Sequence, residues 1–106
     1  MGKLVRDKIV DIMEADGKKV KSHQVSDRNE LIKALLDKLH EEVDELTQAW
    51  EETNELNTEE IIDIEEVLDK IKVESKLSLV EIKAKKEYKA IERGTFDLGI
   101  ILDDVK

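Results

Sequence analysis

Two short acidic segments hold the residues with the most chemical potential. The first, KLHEEVDEL at 38–46, carries Glu41, Glu42 and Glu45; the second, EEIIDIEEVLDKI at 59–71, carries Glu60 and Asp63. Side chains three apart on a helix are neighbours, so Glu42 with Glu45 and Glu60 with Asp63 are two carboxylate pairs. At 100° per residue, Glu42 lies about 60° from Leu39, the centre of an apolar stripe, and Glu45 about 120° to the same side. Lys38 falls between them one turn earlier, and Glu41 lies on the more solvent-facing side. Glu60 aligns within about 40° with Ile64, Val67 and Ile71, which places a charge on an apolar stripe. If the two helices run antiparallel and face each other, Glu42, Glu45, Glu60 and Asp63 converge. Four carboxylates in partly dry surroundings either raise their pKa values or recruit cations. Oxygen ligands without His or Cys suit Mg²⁺ or Mn²⁺. Mg²⁺ in turn favours bound phosphate, which points to phosphate-ester or anhydride chemistry.

Composition supplies a blander account. Acidic residues number 27 of 106, so carboxylates three apart arise readily by chance. Glu42 with Glu45 reads also as a solvated helix face, and Glu60 as a residue satisfying a helix N-terminus. Cations for a phosphate site are present at both ends of the chain: Lys3, Arg6 and Lys8 early, and Lys85, Lys86, Lys89 and Arg93 late. Arg93 precedes Gly94, and an arginine fork beside a residue that permits close approach suits a phosphate. Each of these cations alone is also ordinary helix-end charge placement.

The rest of the composition narrows the classes. The chain has 106 residues, 18 basic and 27 acidic, for a formal net charge of −9. A compact chain this acidic repels phosphate backbones, so no nucleic-acid polymer is expected as partner. There is no Cys, and His23 and His40 are the only imidazoles, which removes disulfides, thiolate nucleophiles and multi-histidine metal centres. No apolar run approaches the ~18 residues of a membrane span, and the first residues lack the apolar stretch of a secretion signal. A cytoplasmic, membrane-independent protein is the expectation.

The elements that must position the carboxylates are helices. Pro is absent and Gly occurs four times, so little interrupts a helix. Residues 6–15 suggest a short helix ended at Gly17 by a left-handed cap, and 18–25 read as loop. A second helix is expected from Asp27 to Trp50, opened by the capping spacing of Asp27 and Glu30. Ile32, Leu35, Leu36, Leu39, Val43, Leu46 and Trp50 form its stripe. After a polar link at 51–57, Asn57 with Glu60 offers a second cap and a third helix from Thr58 to Val73. A fourth, opened by Ser78 with Glu81, is expected to bury Val80, Ala84, Tyr88 and Ile91 before Gly94. Phe96 reads as a tail anchor, and Leu98, Ile100, Ile101 and Leu102 as a patch that packs on the helices or on a partner chain. The fold class is therefore all-α, a bundle of three main helices plus a short N-terminal one, in a single domain, with oligomerisation expected to complete it.

The acidic segments carry a family resemblance. E-E-x-x-E at Glu41, Glu42 and Glu45, followed by E-x-x-D at Glu60 and Asp63, resembles in order and spacing the MazG-like all-α nucleoside triphosphate pyrophosphohydrolases. KLVRDKI at 3–9 and IERGTFDLGIIL at 91–102 look like the ends of their phosphoribosyl-ATP pyrophosphohydrolase-like branch. Val10 and Thr95 depart from that branch, which has Pro and Gly there; Glu65 and Ile91 replace its usual Leu and Glu. The resemblance implies a homodimer or homotetramer that cleaves the α–β phosphoanhydride of a nucleotide with Mg²⁺, releasing a nucleoside monophosphate and pyrophosphate. It implies Glu42, Glu45, Glu60 and Asp63 as metal ligands, with Glu41 or Glu45 orienting the attacking water and Glu41 able to serve as a further ligand. Lys38 would contact phosphate, and Arg6, Lys8, Lys89 and Arg93 match the branch's basic positions. The competing expectation is an inactive acidic helical module for binding, regulation or dimerisation.

Overall fold

The computed structural model describes residues 2–106. Its four helices are α1 (Ile9–Ala15), α2 (Arg28–Thr53), α3 (Thr58–Glu74) and α4 (Leu79–Arg93). The chain is thus an all-α bundle of one short N-terminal helix and three longer ones, as its patterning predicts. Among the described residues no helix is long and apolar enough to cross a membrane.

The helix starts follow from local side chains. The Asp27 carboxylate accepts from the Glu30 backbone N–H at 3.3 Å and opens α2. Asn57 opens α3, but accepts from the Glu59 N–H at 2.9 Å, one residue earlier than its spacing with Glu60 predicts. Ser78 accepts from the Glu81 N–H and donates its hydroxyl to the Glu81 carboxylate, both at 3.1 Å. A cap of this kind contributes about 1 kcal/mol.

Helix ends differ from the sequence expectation by more than one residue in two places. α1 starts at Ile9 rather than residue 6, because residues 6–8 form a turn closed by Ile9 N–H to the Arg6 carbonyl. α2 runs past Trp50 to Thr53, where Asn54 takes a left-handed conformation (φ 60°, ψ 23°) and its N–H closes on the Trp50 carbonyl. Asn tolerates that region better than most residues with a side chain. The polar link is therefore residues 54–57, not 51–57.

α2 and α3 form an antiparallel pair, and two contacts fix their register. Arg28 donates to the Glu74 carbonyl at 2.6 Å, joining the start of α2 to the end of α3. Glu42, midway along α2, meets Glu60 in the first turn of α3. Leu35 lies between these points and is 2 % exposed, the one buried apolar residue among those described. In this register the last turns of α2 extend beyond the start of α3.

α4 packs on α3 alone. Its intended core face is open: Val80 is 78 % exposed, Tyr88 64 % and Ile91 82 %. Phe96 is 98 % exposed, so it anchors nothing within its own chain, and the tail patch does not pack on the helices. Tyr88 and Phe96 thus depart from the positions their sequence context predicts. The reason is geometric: only α3 reaches α4, and it takes the opposite flank, where Ile82 and Ala90 are half-buried.

Candidate metal centre

Two groups of carboxylates lie close enough to hold an ion. In each, one oxygen per residue falls within 4.8 Å of the others: Glu41, Glu42 and Glu45 along α2, and Glu42, Glu60 and Asp63 across α2 and α3. Glu42 belongs to both and is the pivot. Only 4 % of it is exposed, an unusual burial for a carboxylate. It sits there because it shares the α2 face of Leu35 and Leu39, which α3 covers.

Three cations brace this cluster from its edges. Lys38 Nζ lies 3.0 Å from Glu42 Oε1 and 3.3 Å from Glu41 Oε1. Lys3 reaches the same Glu41 oxygen at 3.3 Å, and Arg6 donates to Asp63 Oδ1 at 2.8 Å. The segment before α1 is thereby stitched across α2 and α3 at the cluster. The Arg6 guanidinium is held above its usual pKa, first by its hydrogen bond to Asp63. Burial works against the charge on Lys38, yet Glu42 and Glu41 together raise its pKa. For Glu41, burial favours the neutral acid, but Lys38 and Lys3 outweigh it and hold the carboxyl below its ordinary value.

Neutralisation is incomplete at the centre. The Oε2 atoms of Glu42 and Glu60 are both buried and neither has a hydrogen-bond partner among the described residues. Glu60 is pushed up to about 7, first by its approach to Glu42, then by burial, then by Glu45. Two buried carboxylate oxygens without a donor carry a large desolvation cost. Either a proton or a cation between them relieves it. The donor set is all oxygen and comes from rigid helices, which fits a hard divalent ion such as Mg²⁺ or Mn²⁺. The chain is thus a small acidic helical domain whose clustered carboxylates are able to coordinate a metal.

The remaining candidates divide. Lys38 and Arg6 stand at the cluster, but in ion pairs with Glu42, Glu41 and Asp63. Lys8 is exposed at the start of α1. Lys89 and Arg93 line a shallow cleft with Lys85, Tyr88 and Glu92, all from α4, and no carboxylate of the cluster borders it. His40 is exposed and His23 lies in the connection before α2, 3.9 Å from Glu30. Lys3 is the residue at the cluster that spacing alone does not assign, since its contact with Glu41 spans 38 residues. A second cleft of about 140 Å³ opens at the far end of α2 and α3, lined mainly by Ile32, Leu35, Leu36 and Ile71. No protein-family model, curated protein or solved structure matches the chain.

Proposed function

We propose that this protein is a Mg²⁺-dependent nucleoside triphosphate pyrophosphohydrolase. The observation that carries the reading is the meeting of Glu42 with Glu60 and Asp63 across two helices, with two buried carboxylate oxygens left unpartnered. The order of these acids along the chain supports it, through the resemblance described above. Bound here, a divalent cation supplies positive charge against phosphate oxygens and Lewis acidity toward water. Glu42, Glu60 and Asp63 are the residues that would hold it, with Glu45 on the open side.

Glu45 is exposed and makes no ion pair among the described residues, so it is the carboxylate able to accept a proton from an attacking water. Glu41 is kept ionised by two lysines, which makes it a weaker base and a better anchor. Lys38 and Arg6 border the site, and exchanging a carboxylate for a phosphate oxygen would let either one hold the substrate's charge. The leaving group is pyrophosphate, and no covalent intermediate on the chain is required. On this reading Glu41, Glu42 and Glu45 are the catalytic carboxylates.

The test is a pyrophosphate-release screen across canonical and modified nucleoside triphosphates, with and without Mg²⁺. Release that requires Mg²⁺, and falls more than about 100-fold in Glu42→Gln and Asp63→Asn with helicity retained, supports the assignment. Full activity in both purified variants overturns the ligand set. Absence of release from every nucleotide, with Mg²⁺ still bound, favours the inactive binding module.

A further inference from the structure

The acids and the cations of the cluster belong to parts of the chain that are held in different ways. Glu41, Glu42, Glu45, Glu60 and Asp63 stand on α2 and α3, a pair tied in register by Arg28 and packed around Leu35. Lys38 shares α2 with both of its partners. Lys3 and Arg6 instead belong to the irregular segment before α1. α1 packs against no other helix and contains no buried residue; Leu4, Ile9, Val10 and Met13 reach only half-burial. Among the described residues, Lys3–Glu41 and Arg6–Asp63 are the only side-chain hydrogen bonds or ion pairs that join residues 2–22 to the rest of the chain.

Both attachment points are acids of the candidate centre. Arg6 donates to Oδ1 of Asp63, and Lys3 shares Oε1 of Glu41 with Lys38. The N-terminal arm therefore stands on carboxylates that a divalent cation also requires, and it brings charge of the same sign as that cation. A donor on a carboxylate oxygen competes for the lone pairs a metal ion needs, and like charges set side by side repel. The arm's own grip is light. The Lys3 side chain is 65 % exposed and that of Arg6 51 %, so water solvates either one as it lets go. Opening such a pair costs little, whereas α2 and α3 cannot separate without losing the packing around Leu35.

We infer that residues 2–8 form a charge clasp on Asp63 and Glu41 that opposes divalent-cation binding and is loosened by it. The inference rests on the ligand set proposed above, and not on the hydrolysis. Arg6 and Lys3 leave their carboxylates as a cation is taken up, and α1, with no helix to lean on, loosens with them. Lys38 stays in place because its pairs run within α2. The coupling is reciprocal: the factor by which the clasp weakens the ion is the factor by which the ion weakens the clasp. Loading of a centre between two helices is thereby reported by the mobility of a segment outside the bundle.

The test uses the full chain and needs no substrate. Mg²⁺ and Mn²⁺ binding is measured by calorimetry on the unmodified protein, Lys3→Gln, Arg6→Gln and Lys19→Gln. Lys19 is exposed and unpaired among the described residues, so its variant controls for the loss of one positive charge. Arg6→Gln is expected to bind either ion about 3- to 10-fold more tightly and Lys3→Gln about 2- to 5-fold, with Lys19→Gln within about twofold of the unmodified protein. Hydrogen exchange followed by mass spectrometry reads the arm itself. Saturating Mg²⁺ is expected to speed exchange across residues 2–17 of the unmodified protein by about 3- to 10-fold. In Arg6→Gln the same residues should exchange fast before any ion is added. If Arg6 instead props Asp63 for the ion, Arg6→Gln binds more weakly and Mg²⁺ slows exchange in the arm. Either of those results, or unchanged affinity in both arm variants, would overturn the clasp while leaving the metal centre standing. Absence of binding to all four proteins would overturn the centre and the clasp with it.

Discussion

Adding Mg²⁺ at a series of pH values perturbs the shared proton of the carboxylate cluster directly. Glu60 sits at about 7 because Glu42 and Glu45 crowd it and burial removes its water. Metal ligands must be deprotonated, so binding expels whatever proton Glu60 holds. A group titrating at about 7 is about 90 % protonated at pH 6 and about 10 % at pH 8. Mg²⁺ binding is therefore expected to release about 0.9 proton at pH 6 and about 0.1 at pH 8, with affinity rising nearly tenfold per pH unit below 7. Isothermal calorimetry in buffers of different ionisation enthalpy measures this release, independently of any turnover. In Glu60→Gln the release should vanish at both pH values. Equal release at pH 6 and pH 8, or release that persists in the Glu60→Gln protein, refutes the proposed proton sharing.

Three further outcomes follow from the geometry. Without metal, the folded-state pKa of Glu60 is raised above its unfolded value, so its contribution is most favourable below about pH 4.5 and declines as pH rises toward about 7; linkage bounds the loss at about 3 kcal/mol, reduced further by solvent screening. Glu60→Gln should flatten that decline in metal-free thermal melts between pH 4.5 and 7. Leu35→Ala, at the one buried apolar position, should cost about 2–4 kcal/mol in urea unfolding. Asp27→Ala removes the α2 cap and should cost about 1 kcal/mol in the same assay.

The sequence makes the helices legible because their signals are local. Asp27, Asn57 and Ser78 each stand at the cap position their type predicts, and Gly17 and Gly94 both adopt positive φ, 84° and 80°. Glu60 is legible for a related reason: a charge in phase with Ile64 and Ile71 has to meet something across the helix interface. Lys3 is not, since nothing near it in sequence indicates Glu41 as its partner. Tyr88 and Phe96 fail in the opposite sense. Periodicity identifies a face that seeks burial, but not which surface provides it, and among the described residues both stay largely exposed. The link at 51–57 was too long by three residues because Glu51, Glu52 and Thr53 are polar without being helix breakers. Solvent-facing residues of that kind extend a helix as readily as they form a loop.

The pairing of α2 with α3 also constrains how the chain can change in length. From Arg28 to Glu42 is the same number of residues as from Glu60 to Glu74, close to four full turns on each side. The clamp at one end and the acids at the other therefore share a rotational phase. Inserting a single residue between them in either helix would swing one end by about 100° and slide it by about 1.5 Å. The reversal after Asn54 lies outside that measured interval. Related chains should accordingly gain or lose residues at this hairpin while keeping the two helical spans equal.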